Sequence, residues 1–543
     1  MLDLASTVPD SLAASAMVAA LQRSECYPHD VATNVAVVET HISRVYLAGP
    51  YAYKVKKPVN LGFVDFSTLA ARKHYCEEEI RLNRRFLPDL YLDVVEIRGS
   101  AEAPRISGSG PILDYAVRMH RFSQEALADR LLARGELTSK LVSDFATYLA
   151  EFHRSLPPLD SAEPYGTPEA VLENAMQNFP QISSLLTEAN DREALEALRR
   201  WTESEFSART CEMRERYSAG MIRECHGDLH LGNILLLNEK LVPFDCIDFS
   251  AALRWNDVMS EVAFLVMDLI DRGAPGLASL SLSTYLETTG AYSGLSVLRW
   301  YLVYRALVRA KVHLIRARQS ATTAAEASRL VQACRGYMAL AESCSHQPQP
   351  RLLLMHGFSA SGKSSVAQEL VQAYGAIRVR ADVERKRLHG IAALGDSASA
   401  VGSGIYGQDS TDATYTRLAE AARTIVQAGY TAVVDAAFLR GAQRAQPREI
   451  AAALHVPVAV IDVQVPHALL RARIATRAAH ASDPSEATVE VLEHQIETAE
   501  PVTAGEGLPV IVVNGREDLT PATVLELSRL LDESADRIAC IPI

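Results

Sequence analysis

The sequence predicts two folds of different class in one chain: a bilobal α+β domain, a linker, and an α/β domain with a parallel sheet. Three observations predict it. Residues 224–250, ECHGDLHLGNILLLNEKLVPFDCIDFS, read as loop, strand, turn and strand, with polar side chains gathered at one end of the hairpin. Residues 351–374 read as a buried strand, a turn rich in Gly and Ser, and an amphipathic helix. Between them, Ser-His-Gln-Pro-Gln-Pro at 345–350 sets two prolines after a long helical pattern, which stops the helix and marks a boundary.

A chain of 543 residues exceeds one ordinary core, and about one domain per 100–200 residues gives three or four compact pieces. Nothing in the formal net charge of −12 suggests a non-specific grip on nucleic acid, while a local basic groove stays compatible with it, because net charge says little about one cleft. No apolar run has the length of a membrane span. The eight cysteines are scattered without a Cys-x-x-Cys pair, which argues against a zinc site or a disulfide framework. Asp3 and Asp10 flank no basic cluster, so residues 11–21 read as an amphipathic helix rather than a signal peptide. The expectation is a reduced, cytoplasmic protein.

In order, residues 1–33 are a helix and connector, and 34–122 a small lobe whose short β-rich runs are 36–40, 44–48 and 51–58. Lys54 and Lys56 are two apart in the last run and share a strand face. A helix over 70–86 carries Glu77, Glu78 and Glu79. Residues 115–122 then cross to a helical lobe, 123–344, which holds the 224–250 hairpin. Phosphoryl transfer needs a carboxylate to orient the attacking hydroxyl and oxygen ligands for Mg²⁺. The hairpin supplies both: Asp228 as base, Asn233 and Asp248 as metal ligands.

His-Gly-Asp-Leu-His-Leu-Gly-Asn followed by Ile-Asp-Phe-Ser resembles the catalytic loop and metal-binding segment of the aminoglycoside phosphotransferase family, a branch of the protein-kinase-like fold. The resemblance implies that Lys54, or Lys56 as the alternative, reaches the nucleotide phosphates. It implies that Glu78, with Glu79 second, holds that lysine, and that 115–122 is the adenine-contacting hinge. Helices near 166–220 would hold the acceptor. Asp257 would hold the backbone of the catalytic loop or simply cap the helix that follows. The sequence departs from protein kinases in one place, where the aminoglycoside phosphotransferase family also varies: no Gly-x-Gly-x-x-Gly precedes Lys54, and Glu39 to Ser43 occupy that hairpin.

In the last domain, 351–543, Gly357, Ser361, Gly362, Lys363, Ser364 and Ser365 lie between strand and helix. Backbone amides and a helix N-terminus can close around phosphate there, with Lys363 on the outer phosphates and Ser364 on Mg²⁺. Asp382 and Arg385 after the second strand resemble the acceptor-activating pair of small P-loop kinases: the polynucleotide kinase, gluconate kinase and zeta-toxin group. Asp435 ends a strand where a carboxylate meets Mg²⁺. Arg473 and Arg477 lie on a helix placed as the lid over the transferred phosphate. The expected fold class is thus an α+β protein-kinase-like bilobal domain followed by an α/β P-loop NTPase domain with a parallel sheet. The expected function is a bifunctional phosphotransferase using ATP or GTP with Mg²⁺ on hydroxyls of small molecules such as sugars, cyclitols or aminoglycoside-like compounds. Two alternatives are a P-loop kinase of 5′-hydroxyl nucleic-acid ends or nucleotide sugars, and a regulator with one silent domain.

Overall fold

A computed structural model describes residues 12–515 and 529, less 32–33, 41, 61–63, 161–162, 319–321, 396–403 and 478–487. The chain forms two compact units of discontinuous sequence. The first is Met1–Phe145, Ser155–Asp268 and Tyr304–Ala339; the second is Ala146–Arg154, Leu269–Val303 and Leu340–Ile543. By compactness, then, residues 269–303 already belong with the C-terminal part, well before the proline linker at 345–350. Among the described residues no helix is long and apolar enough to cross a membrane.

The first unit opens with a six-stranded sheet in the order β1-β2-β3-β6-β4-β5, every neighbour antiparallel. The strands are β1 (Ala36–Glu39), β2 (Ser43–Ala48), β3 (Tyr51–Lys56), β4 (Tyr91–Gly99), β5 (Pro104–Ile106) and β6 (Ile112–His120). Alternation along β3 sets its two faces. Tyr53 and Val55 enter a core with Leu21, Tyr46, Ile97 and Ala116, while Lys54 and Lys56 point to the other face. Helix Leu69–Asn83 covers that second face, started by Thr68, whose hydroxyl accepts from the Ala71 N–H at 3.1 Å.

The expected hairpin is present as β8 (Ile234–Leu237) and β9 (Lys240–Pro243). Asn238 and Glu239 both take positive φ, 49° and 64°, the conformation of a tight two-residue turn. A second antiparallel pair, β7 (Ile222–Glu224) with β10 (Trp255–Asp257), closes the segment on either side. The Glu39 to Ser43 turn is held by the Thr40 hydroxyl, which accepts from the Ser43 N–H at 2.9 Å.

The second unit is built on a parallel five-stranded sheet, order β12-β13-β11-β14-β15. Its strands are β11 (Leu352–His356), β12 (Ile377–Arg380), β13 (Ala432–Asp435), β14 (Val458–Gln464) and β15 (Val510–Asn514). β11 and β13 are apolar and buried along nearly their whole length, as in a sheet covered on both faces, and Leu353, Met355, Val433, Ile461 and Val513 share a core with Val366 and Leu370 of helix Lys363–Tyr374. β11 is central, so the turn that follows it opens at the carboxyl end of the sheet, where ligands of such folds bind. Helix Pro275–Thr289 packs against helix Lys363–Tyr374 and β12.

Candidate active sites

In the first unit, β3 delivers two lysines to one carboxylate. Lys54 Nζ lies 2.8 Å from Glu79 Oε1 and also pairs with Asp245; Lys56 Nζ lies 2.9 Å from Glu79 Oε2 and also pairs with Asp248. The residue expected to hold the lysine, Glu78, does not reach it. Glu78 instead pairs with Arg81 at 2.8 Å and with Arg254 at 3.3 Å. The reason is the helix register: Arg72, Cys76, Ile80 and Asn83 form the buried stripe, and Glu79 falls on it while Glu78 is rotated one residue away. Burial alone would raise Glu79, but Lys54 and Lys56 hold it well below the ordinary carboxylate range. Asp248 is pushed up by its burial despite Lys56. The neighbouring Glu79 charge adds to that rise, against the pull of both lysines.

The loop that bears Asp228 is suspended from helices. Both oxygens of Glu261, on helix Val258–Asp271, accept backbone N–H groups, His226 at 3.0 Å and Gly227 at 2.7 Å. Asp268, further along the same helix, accepts the Leu231 N–H at 2.8 Å. Arg305 donates to the Gly227 carbonyl at 3.2 Å. Asp257 has the other role foreseen for it: it accepts the Met259 N–H at 2.8 Å and binds Arg216 through two contacts of 2.6 and 2.7 Å. Glu261 and Asp268 escaped the sequence reading, although two acids seven residues apart in the apolar run Val258–Asp271 were a signal.

On that loop Asn233 Nδ2 donates to Asp228 Oδ2 at 3.1 Å and to the Asp228 carbonyl at 3.0 Å. His230 Nε2 is 3.5 Å from the same carboxylate. Burial opposes ionisation of Asp228, yet His230 and then Arg309 hold it well below the ordinary range. Asp228 is thus an ionised, acceptor-only group, the state needed to orient a hydroxyl. His226 is pushed down by burial and stays neutral; its Nε2–H donates to the Phe244 carbonyl at 2.8 Å. The segment bearing Asp245 and Asp248 is fixed by Asn83, whose Oδ1 accepts the Cys246 N–H at 3.0 Å.

In the second unit, the turn after β11 brings Gly357, Ser361, Gly362, Lys363 and Ser364 together as expected. Gly357 has φ +135°, and a Cβ there would stand 2.7 Å from the Val463 carbonyl. Only glycine fits this close approach to β14. The Ser361 hydroxyl is buried without a hydrogen bond, and Lys363 Nζ folds back to the Phe358 carbonyl at 2.7 Å. Ser364 and Ser365 occupy the first turn of helix Lys363–Tyr374, Ser365 exposed. Asp435 is buried at the end of β13; its Oδ2 makes no hydrogen bond and lies 3.7 Å from Arg380 Nε. Asp382 is in the first turn of helix Ala381–Leu388.

Two expected substrate-facing arginines are used differently. Arg385 donates to the Ile405 carbonyl at 2.9 Å and lies over the Tyr406 ring, so it braces the segment leading into helix Gln408–Gln427, while its Nε is buried without a hydrogen bond. Arg473 donates to three backbone carbonyls, Gly515 at 2.9 Å, Ala360 at 3.2 Å and Ser361 at 3.4 Å. It therefore ties the turn after β11 to the end of β15. The Arg477 side chain lies outside the described residues.

Comparison with known proteins decides the class. Residues 76–300 match the Phosphotransferase enzyme family. Residues 352–502 match an AAA domain. The chain is thus similar over its first part to phosphotransferases of the kinase-like fold, and over its second to a P-loop domain with a parallel sheet. The two matches fall within the spans assigned to the two folds, 34–344 and 351–543. An uncharacterized protein of Mycobacterium tuberculosis (strain ATCC 25618 / H37Rv) is 27% identical over 490 residues, 88% of this chain and 95% of that protein. An uncharacterized protein of Mycobacterium bovis aligns with the same figures. Among solved structures, an amicoumacin kinase in complex with AMP-PNP, Ca²⁺ and Ami is 12% identical, covering 59% of this chain and 91% of that one with TM-score 0.38. A choline/ethanolamine kinase family protein from Mesorhizobium loti is 11% identical, covering 61% and 99% with TM-score 0.35. A gluconokinase from Sinorhizobium meliloti is 20% identical, covering 35% and 99% with TM-score 0.26. Phosphotransferase chemistry is the coarse function that the family matches support.

Proposed function

We propose that the chain carries two separate sites, each transferring the γ-phosphoryl group of ATP or GTP to a hydroxyl of a small molecule. The observation that carries the reading is the first site's arrangement: an ionised Asp228 locked to Asn233 on one side of a hairpin, and the Lys54/Lys56–Glu79 cluster facing Asp245 and Asp248 on the other. Asp228 accepts the hydrogen bond of the acceptor hydroxyl. As the acceptor oxygen bonds to the γ-phosphorus, the bond from that phosphorus to the bridging oxygen breaks, the nucleoside diphosphate leaves and the hydroxyl proton passes to Asp228. Lys54, the less enclosed lysine at 13% side-chain exposure against 1% for Lys56, binds the phosphates while Glu79 keeps it extended.

Mg²⁺ takes hard oxygen donors. Asn233 and Asp248 in the first site, and Ser364 and Asp435 in the second, fit that demand, the bare buried oxygen of Asp435 most directly. When bound, the ion would neutralise charge on the phosphates. In the second site the amides after Gly357 and the helix N-terminus cradle phosphate, Lys363 swings from the Phe358 carbonyl to the outer oxygens, and Asp382 orients the acceptor. A small acceptor is favoured over a nucleic-acid end because Arg378, Arg385 and Arg473 beside this site are engaged by the protein itself.

The test is transfer of labelled γ-phosphate by wild type, Asp228→Ala and Lys363→Ala against sugars, cyclitols, aminoglycosides, nucleosides and 5′-hydroxyl oligonucleotides. Product lost only in Asp228→Ala belongs to the first site, and product lost only in Lys363→Ala to the second. Product that survives both substitutions would refute the proposal.

A further inference from the structure

β12 carries Arg378 and Arg380 two residues apart, so both side chains leave one face of the strand. A single carboxylate from far earlier in the chain meets both. Glu287, on helix Pro275–Thr289, accepts Arg378 Nε on Oε2 at 3.0 Å and sets Oε1 3.7 Å from Arg380 NH1. One turn earlier on that helix, Ser283 Oγ accepts the backbone N–H of Arg378 at 2.9 Å. On their other sides the two arginines reach the phosphate-binding site. Arg378 NH1 donates to the Ser364 carbonyl at 3.3 Å. Arg380, in register with Asp435 across the β12–β13 pair, holds Nε 3.7 Å from Asp435 Oδ2.

Glu287, Arg380 and Asp435 thus form a row of alternating charge that ends on a proposed metal ligand. We propose that Glu287 is a positioning residue of the second site, which governs how readily Asp435 accepts a divalent cation. The inference rests on the reading of that site given above. With Glu287 in place, Arg380 has a carboxylate oxygen at 3.7 Å on either side, Glu287 Oε1 on one and Asp435 Oδ2 on the other. Without it, Arg380 loses a carboxylate that draws it away from Asp435, so its pairing with Asp435 strengthens and competes with the cation for the same oxygen. Glu287 lies inside the stretch 76–300 matched by the phosphotransferase family and outside the stretch 352–502 matched by the AAA domain. The second site is therefore completed by a residue beyond its own family match.

The experiment uses the full chain and a fluorescent ATP analogue, with Mg²⁺ as the titrant; the part of the binding signal lost in Lys363→Ala defines the second site. In Glu287→Gln the Mg²⁺ concentration for half-maximal binding at that site should rise about tenfold, as for loss of an outer-shell partner, with Mg²⁺-free nucleotide binding unchanged. Adding Arg380→Gln to Glu287→Gln should return the Mg²⁺ dependence toward wild type, because the competing cation is gone. An unchanged half-saturation in Glu287→Gln, or a loss that Arg380→Gln does not repair, overturns the inference and leaves the phosphate-site reading standing. Unaltered binding in Lys363→Ala sinks both. Should Glu287→Gln unfold, as read by its thermal midpoint, Arg380→Gln alone decides: Mg²⁺ half-saturation falls severalfold, or the inference is wrong.

Discussion

The two lysines of β3 are chemically alike and structurally unequal. Lys56 is fully enclosed between Glu79 and Asp248, so Lys56→Met leaves Asp248 as a buried carboxylate without its cation; we expect a loss of about 3 kcal/mol in denaturant unfolding. Lys54→Met leaves Glu79 still paired with Lys56, and Asp245 is 42% exposed and can be solvated. That variant should keep most of the stability and lose ATP affinity at the first site, as read by nucleotide titration. If the two phenotypes are exchanged, Lys56 is the phosphate-binding lysine. A second residue-scale expectation concerns acid. Arg444, buried in the second unit, meets Glu506 through two contacts of 2.7 and 2.8 Å, chiefly responsible for holding Glu506 at about 2 against an ordinary value of 4.5. A lowered carboxylate stabilises above its unfolded-state value and ceases to do so as pH falls through its folded-state value. The stability difference between wild type and Glu506→Gln should be constant above about pH 5 and shrink steadily below it. A difference that does not change on acidification would show that the pair contributes nothing.

At the scale of elements, the sites depend on backbones held from elsewhere. Helix Val258–Asp271 suspends the Asp228 loop through Glu261 and Asp268. Glu261→Ala removes two of these acceptors and should lower kcat at the first site by on the order of a hundredfold through misplacement of Asp228. The KM for ATP should barely move, because the lysine cluster is carried on β3; a change confined to KM would contradict this. The turn after β11 depends on its first glycine in the same way. Gly357→Ala combines φ +135° with a Cβ 2.7 Å from the Val463 carbonyl, so nucleotide binding at the second site should be lost while transfer at the first continues. The expected hairpin, the parallel strands and this strand–turn–helix were all legible in the sequence, since each rests on local period and turn chemistry. The roles of Glu78, Arg385 and Arg473 were not. Each depends on helix rotation or on a carbonyl from a remote segment, and neither leaves a mark in local pattern.

For the molecule as a whole, the break in composition at 345–350 does not coincide with the break in packing. Glu287, the carbonyls of Glu287 and Thr288, and that of Gly290 are taken up by Arg378, Arg387 and Arg417 of the second unit. A fragment starting at 345 would lose these acceptors, leaving Arg378 with the Ser364 carbonyl and Arg387 and Arg417 with Glu384; it should unfold at least about 3 kcal/mol more easily than one starting at 269, given hydrogen bonds to charged groups of about 1.5–3 kcal/mol each. Equal stability of the two fragments in denaturant would show that residues 269–303 are dispensable to that unit. The sequence by itself determined the two fold classes, the hairpin with Asp228, Asn233 and Asp248, and the glycine turn with Lys363 and Ser364, because hydrophobic period and short-range turn geometry fix these within a few residues. Only the tertiary structure decided that Glu79 rather than Glu78 meets the lysines, that Arg385 and Arg473 brace backbone, and that Glu287 faces β12. Those outcomes turn on about 100° of helix rotation per residue and on contacts across as many as 113 positions, from Ala360 to Arg473, which no local pattern encodes.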